Sequence, residues 1–247
     1  FQTIYEVKTK EVWGGWRAWP EELKSPSSKG VKEFVKQNND RVEFFKYMQF
    51  EASRQFEEVF NTIKECGLKV GLYRDLAVGV GTDSAEVWSE PDLFMQEAGT
   101  GAPPDAFAEE GQNWGFPTYN WERMAQDDYA WWRSRLAKMA RYFDAYRIDH
   151  ILGFFRIWEI PVHAVGGLLG QFQPSLAMSM EEINGYGLYL SEDFMTRPFI
   201  ADWVLDRIFG NRADEVKHRF LVHEHDDIWS LKSECDTERK VEAMNLD

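Results

Sequence analysis

Two long amphipathic helices, each followed by a short apolar strand, constrain the fold of this chain more than any other feature. The first helix is predicted from Asp40 to a glycine stop at Gly67, and residues 68–73 follow as a buried strand. The second is predicted over residues 127–143 and leads into a strand over residues 144–149. Successive helix-then-strand units are typical of parallel α/β architectures, so the sequence predicts an α/β fold.

Charged side chains are concentrated at the end of the second strand. Arg147 and Asp149 are two positions apart, so on a strand they point to the same side, while Ile148 and His150 point to the other. Polar groups at the carboxyl end of a parallel barrel strand usually belong to an active site. The alternative is a buried Arg–Asp pair that only closes the strand, since ion pairs also occur in clefts without chemistry.

A second polar segment follows the first predicted strand. Asp75, Asp83 and Ser84 offer acceptors and a hydroxyl, and Gly79 and Gly81 let the backbone bend close to a ligand. These residues are candidates for binding. The alternative is a turn in which the aspartates cap backbone amides.

The segment from Gly99 to Pro117 is rich in glycine and proline and is predicted to be an irregular loop rather than a helix or central strand. An ordered loop of this length in a compact domain is usually functional. Asp105, Glu109 and Trp114 are its candidate binding residues.

Composition excludes several classes of function. The formal net charge of −14 disfavours binding to a phosphate backbone, and no apolar run reaches the length of a membrane span. Two cysteines form no disulfide framework, which suggests a reducing compartment. The 11 tryptophans suit both sugar stacking and core packing. For Trp13, Trp16 and Trp19 we favour a packed helical turn over a sugar platform.

Three of these segments together resemble one enzyme family. The nucleophile stretch is Arg147-Ile148-Asp149-His150 followed by Phe155-Arg156-Ile157-Trp158-Glu159-Ile160-Pro161, and it resembles that of the 4-α-glucanotransferases, also called amylomaltases or disproportionating enzymes. The segment 101–117 resembles their Gly-x-Pro-Pro-Asp-x-Phe-x-x-x-Gly-Gln-x-Trp-Gly-x-Pro loop. The segment 74–88 resembles another family loop but has Arg74 for Gly and Ala77 for Pro. The sequence of residues 151–158 is most similar to that of the plant cytosolic type of the family.

The resemblance implies a fold and a set of roles. It implies a partial (β/α)8 TIM barrel over residues 1–161, with a mostly helical insertion of the plant cytosolic type over residues 162–247. Asp149 is then the nucleophile of a retaining double displacement, and Arg147 keeps it ionised. The implied substrate-binding residues are Asp75, Asp83, Ser84, Asp105, Glu109, Trp114 and His150.

The same resemblance implies the reaction and its partners. Glucosyl units would pass from maltose or a maltodextrin to a glycogen-like or heteroglycan acceptor in the cytosol, without a cofactor, a nucleic acid or a membrane. The family's acid/base Glu lies in a Glu-Asp-Leu-Gly segment that we do not find before Asp247, and Glu192-Asp193 and Glu224 have the wrong surroundings. We therefore expect this 247-residue chain to be a fragment that is inactive alone.

Other functions remain open at this point. The chain could belong to an α-amylase-like hydrolase, to a non-catalytic glucan-binding homologue, or to an α/β protein with a charged cleft and no sugar activity. The run His223-Glu224-His225-Asp226-Asp227 contains metal-ligating residue types, but we favour a solvated surface and expect no metal.

Overall fold

A computed structural model of the chain describes residues 1–11, 14–191 and 197–245. The α-helices in this part are α1 (Gln2–Lys8), α2 (Lys29–Gln37), α3 (Asn39–Glu65), α4 (Ala85–Ser89), α5 (Trp121–Ala125), α6 (Ala130–Ala140), α7 (Met180–Gly185), α8 (Asp202–Phe209), α9 (Ala213–Phe220) and α10 (Glu238–Ala243). The strands are β1 (Tyr73–Leu76), β2 (Phe94–Ala102), β3 (Gln112–Tyr119), β4 (Ala145–Ile148), β5 (Ile157–Pro161), β6 (Gln171–Gln173), β7 (Ile200–Ala201), β8 (Leu221–His225) and β9 (Ile228–Leu231).

The two predicted helix-then-strand units are present, and their strands pair in parallel. α3 precedes β1, α6 precedes β4, and β1 and β4 form a two-stranded sheet. The prediction of a strand over residues 68–73 was wrong, because β1 begins only at Tyr73. Gly67 and Gly71 both have positive φ, so the chain between them turns instead of extending.

The two predicted strands are not buried. Every residue of β4 is exposed, and in β1 only Leu76 is buried. The predicted apolar stripe of α3 is covered only in part: no residue of this helix is fully buried, and Val42, Phe45, Phe60 and Ile63 are partly buried. A two-stranded sheet leaves an open edge on each strand and gives little cover to either face, which accounts for the exposure.

The segment from Gly99 to Pro117 is not an irregular loop. Its ends belong to β2 and β3, which pair as an antiparallel hairpin within a sheet of order β3-β2-β5-β6. β3 is an edge strand, a position that tolerates Pro117, and the register shifts along β2 mark bulges next to its glycines. The irregular part is confined to the hairpin loop, residues 103–111.

Aromatic side chains form the main core. Trp16 and Trp19 are buried, as the packed-turn interpretation predicts, whereas Trp13 lies outside the described residues. Trp19 and Trp88 meet edge to face, with ring centroids 6.5 Å apart. The core residues around them include Ile4, Leu23, Val31, Val87, Leu93, Phe94, Met124 and Trp132.

The segment after Pro161 is mixed rather than mostly helical. Strands β7, β9 and β8 form an antiparallel sheet, and Leu205, Ala213 and Leu221 form a small core against it. The run 223–227 is the end of β8 and a tight turn, in which Asp226 has a φ of 48°. The sequence missed this hairpin because its strand carries charged and polar residues instead of an apolar alternation.

No helix in the described part of the chain is long and apolar enough to span a membrane. Within residues 1–11, 14–191 and 197–245, no group of three or more His, Cys, Asp or Glu side chains is arranged to hold a metal ion. Glu192 and Asp193 lie outside those residues.

Candidate active site

The candidate site lies where β1 and β4 end side by side. Their register pairs Asp75 with Arg147, and the Arg147 Nη2 donates to the Asp75 Oδ2 at 2.8 Å. Because parallel strands run in one direction, the segments that follow Leu76 and Ile148 leave from the same edge of the sheet. The side chains of the pair are 59% and 51% exposed, so the ion pair sits in solvent at that edge.

Asp149 lies in a turn directly after β4. The strand ends at Ile148, and His150 has a left-handed φ of 48°, so strand alternation does not extend to Asp149. The predicted Arg147–Asp149 pairing is therefore wrong, because Arg147 pairs with Asp75 across the strands instead. Asp149 is exposed, and no hydrogen bond joins its carboxylate to another residue of the described part.

An aromatic cluster anchors the turn that carries Asp149. The turn is closed by the Gly153 amide, which donates to the His150 carbonyl at 2.8 Å. The ring centroid of Phe154 lies 5.1 Å from that of Trp132 and 5.9 Å from that of Trp121. This partly buried aromatic anchor holds the turn and with it the exposed carboxylate that precedes it.

The space beneath the turn is too small for a sugar. A cavity of about 20 Å³ lies between the turn and the β2–β3 hairpin. Its volume corresponds to a single water, so this cavity cannot hold a sugar ring. Burial raises the pKa of Tyr119, which lines this cavity and accepts a 3.4 Å hydrogen bond from Arg135.

Trp114 and His150 come together although they are distant in sequence. Their ring centroids are 4.6 Å apart and their planes are inclined by 50°. The Trp114 Nε1 donates to the Gln112 Oε1 at 2.9 Å, which fixes the orientation of the indole. The Thr82 hydroxyl donates to the Gly115 carbonyl at 2.7 Å, which ties the loop after β1 to the hairpin. Three separate segments therefore converge beside Asp149.

Three other predicted binding residues use their oxygens within the protein. Asp83 accepts from the Trp16 amide at 3.2 Å, and Ser84 caps α4 by accepting from the Val87 amide at 3.3 Å. The Asp105 Oδ1 accepts from the amides two and three residues later, both at 2.8 Å. For Asp83 this is the capping use that the sequence left open as an alternative, and Ser84 and Asp105 have the same use. Glu109 lies exposed on the hairpin loop.

Sequence reasoning missed Asn113, which organises the backbone around Trp114. Its Nδ2 donates to the Val165 carbonyl at 3.1 Å, and its Oδ1 accepts from the Gly115 amide at 3.0 Å. The motif Gly-Gln-x-Trp leaves this position unspecified, and Val165 is 52 residues away along the chain. No local pattern signals such a contact.

Comparison with known proteins identifies the family. The model of the family described as 4-alpha-glucanotransferase, Glyco_hydro_77, matches residues 1–238. The 4-alpha-glucanotransferase DPE2 of Oryza sativa subsp. japonica is 42% identical over 97% of this chain and 25% of its own length. The 4-alpha-glucanotransferase of Haemophilus influenzae is 34% identical over 78% of this chain and 28% of its own.

A solved structure shares the fold. The amylomaltase from Streptococcus agalactiae in complex with acarbose superposes with a TM-score of 0.62 at 19% identity, covering 89% of this chain and 56% of that one. The chain spans about a quarter of the length of the curated relatives that it matches. On the extent of the family match and the identity to these relatives, the chain belongs to the 4-α-glucanotransferase family.

Proposed function

We propose that residues 1–161 form part of a (β/α)8 catalytic barrel and that residues 162–247 form an insertion. Two consecutive helix-then-strand units and the parallel pairing of β1 with β4 support the barrel. The separate small core around Leu205 and Leu221 supports a distinct second unit. Strand β6 lies after the boundary in sequence but pairs back with β5, so the insertion begins in contact with the first unit.

We propose that the chain carries the nucleophile side of a retaining 4-α-glucanotransferase site. The observation that carries this proposal is the convergence of Trp114, His150 and Asp149 beside the ends of β1 and β4, in a chain of this family. The exposed Asp149 carboxylate is accessible to a sugar, and the anchored turn holds it in place. Trp114 offers an aromatic face on which a glucose ring can stack.

The reaction proceeds in two displacements. The Asp149 carboxylate attacks the anomeric carbon of the donor, the glycosidic C–O bond breaks, and the leaving oxygen takes a proton from a second carboxyl group roughly 5 Å away. The hydroxyl of an acceptor glucan then attacks the anomeric carbon of the glucosyl–Asp149 ester, the bond from that carbon to the Asp149 oxygen breaks and frees the carboxylate, and the hydroxyl proton passes to that second group. We assign no residue of this chain to the second role.

Arg147 lies at the edge of the site, where its guanidinium is oriented by Asp75. Its guanidinium has five N–H donors in a fixed fork, and one of them donates to Asp75. Asp75 therefore holds the arginine at the strand edge, where its remaining N–H groups can donate to a sugar hydroxyl. We propose that Arg147, oriented by Asp75, acts on a sugar hydroxyl and not by the direct pairing with Asp149 that the sequence predicted.

We propose maltose or a maltodextrin as donor and a glycogen-like or heteroglycan chain as acceptor. Stacking on Trp114 favours an α-glucan acceptor over water because it holds the attacking hydroxyl and displaces solvent. Neither ligand needs a cofactor for this chemistry.

The test compares the full-length protein with its Asp149→Asn variant. Each is incubated with maltose and glycogen, and free glucose and glycogen chain extension are both measured. We expect glucose release matched by extension in the unmodified protein, and a loss of at least about 1,000-fold for Asp149→Asn, as for removal of a covalent nucleophile. Asp128→Asn is the control, since Asp128 is exposed and its one ion pair among the described residues is with the surface Arg133.

The other outcomes separate the alternatives. Glucose without extension indicates an α-amylase-like hydrolase. Glycogen binding without any reaction indicates a non-catalytic glucan-binding homologue. An Asp149→Asn variant as active as the Asp128→Asn control would refute the assignment of the nucleophile.

A further inference from the structure

A short helix near residue 240 holds the loop that supports the candidate site. Glu238 is the first residue of α10, and its Oε2 accepts from the Val165 amide at 2.6 Å and from the Gly166 amide at 3.2 Å. The adjacent Arg239 donates from Nε to the Val162 carbonyl at 2.5 Å. A carboxylate that accepts from two consecutive amides makes charge-assisted hydrogen bonds, which are stronger than neutral ones.

The second unit fixes α10 independently of the loop. Thr237 caps the helix by accepting from the Lys240 amide at 3.3 Å. Cys235 is 2% exposed, and its thiol donates to the Phe220 carbonyl at 3.3 Å. Glu238 is therefore presented from a packed unit and not from a free tail.

The same loop residue is held from its other side by the hairpin. The Val165 carbonyl accepts from the Asn113 Nδ2 at 3.1 Å, and the Asn113 Oδ1 accepts from the Gly115 amide at 3.0 Å. Asn113 and Gly115 flank Trp114 directly. A continuous series of hydrogen bonds thus runs from Glu238 through Val165 and Asn113 to the backbone on both sides of Trp114.

Close backbone packing reinforces this connection. The Gly167 amide donates to the Glu110 carbonyl at 2.8 Å, and its carbonyl accepts from the Trp158 Nε1 at 2.8 Å. A Cβ at Gly167 would lie 2.7 Å from the Gln112 nitrogen and 2.9 Å from the Ala102 oxygen. The loop therefore lies directly against both strands of the hairpin and transmits its position to them.

We propose that Glu238 is a positioning residue that orders Trp114, and with it the glucan-binding surface, through the amides of Val165 and Gly166. The proposal rests on the proposed function for its ligand, a linear α-1,4-glucan. It gives the second unit a role in the active site, although Glu238 itself touches no substrate.

The test uses three variants of the full-length protein. Glu238→Ala removes the acceptor, and Glu238→Gln keeps a carbonyl oxygen that can accept from the same two amides. Glu242→Ala is the matched control, because Glu242 is an exposed carboxylate on the same helix whose ion pair with Arg239 spans 4.0 Å. Amide hydrogen exchange is measured over residues 110–116 and 162–168, and maltoheptaose is the glucan probe for calorimetry and for steady-state kinetics.

In Glu238→Ala we expect amide exchange at Val165 and Gly115 to be about 10-fold faster. We also expect the Kd and KM for maltoheptaose to rise about 5-fold while kcat changes less than 2-fold, because the lost contact acts on binding. Glu238→Gln should keep exchange and binding close to those of the unmodified protein, because it retains the acceptor oxygen. Glu242→Ala should leave both unchanged. Unchanged exchange at Gly115 in Glu238→Ala, or faster exchange with unchanged Kd, would overturn the proposal. If the unmodified protein binds no maltoheptaose, the proposed function fails, while the exchange data still decide whether Glu238 orders the Trp114 segment.

Discussion

The contact between Gly167 and the hairpin predicts a specific defect in Gly167→Ala. The backbone of Gly167 lies outside the left-handed region, so the added methyl and not the dihedral angle causes the effect. That methyl would lie 2.7 Å from the Gln112 nitrogen and 2.9 Å from both the Ala102 oxygen and the Gly111 carbonyl carbon. All three are backbone atoms in or next to paired strands, so they cannot move aside as the end of a flexible side chain would.

The size of the defect follows from overpacking. Forcing an extra methyl into a filled space costs about 1–3 kcal/mol, and every 1.4 kcal/mol is a factor of about ten in an equilibrium. If the strain is relieved by separation of the loop from the hairpin, opening becomes roughly 5- to 150-fold more frequent. Since Trp114 lies on this hairpin, glucan binding should weaken in the same variant.

Gly166→Ala is the matched control for this prediction. A Cβ at Gly166 would have its nearest neighbour, the Glu110 oxygen, at 3.6 Å, which is an ordinary contact. Its amide remains able to donate to Glu238. Hydrogen exchange of residues 110–116 and maltoheptaose calorimetry should therefore distinguish the two neighbouring substitutions in the full-length protein. Equal behaviour of Gly166→Ala and Gly167→Ala would refute the argument that the loop positions the hairpin by close packing.

Two further predictions concern stability. Trp88→Phe should lower the free energy of unfolding by about 1–2 kcal/mol more than Trp19→Phe does. The reason is that the Trp88 Nε1 donates to the Leu23 carbonyl at 2.9 Å, whereas the buried Trp19 Nε1 has no partner in the described residues. The urea midpoints of the two variants check this prediction, and equal midpoints contradict it. Hydrogen bonds from Lys217, the larger cause, and from Trp229 lower the pKa of Asp202 below its ordinary value of 3.8. The ionised Asp202 therefore stabilises the β7–β9–β8 unit above pH 3.8, and this stabilisation is lost as the pH falls through the lowered pKa. The hydrogen-exchange rate of the β9 amides, measured as a function of pH, should therefore rise in that acidic range, and Asp202→Asn should abolish this rise.

The fold was predictable from sequence where the pattern was local. Helical periodicity located α3 and α6, the glycine stop at Gly67 located the end of α3, and the packed turn around Trp16 and Trp19 follows from their spacing. The β2–β3 hairpin was not predictable, because glycine and proline argue against strands until bulges and an edge position accommodate them. The β8–β9 hairpin was missed because its first strand reads as a polar run.

The candidate site divides into two groups of residues that sequence cannot separate. Asp83, Ser84 and Asp105 direct their oxygens at nearby backbone amides, whereas Asp149 has an exposed carboxylate without such a partner among the described residues. A motif records the residue type in both cases, but an oxygen that already accepts from an amide is less available to a sugar.

The supporting residues are harder still to find, because their contacts join segments that are distant along the chain. Glu238 meets the Val165 amide across 73 residues, and Asn113 meets the Val165 carbonyl across 52. Neither contact follows from periodicity or spacing, since each depends on where a packed unit places a short helix or a loop. If these contacts position Trp114 as proposed, the motif residues define what the site can bind, and the unit after Pro161 determines how firmly that surface is held.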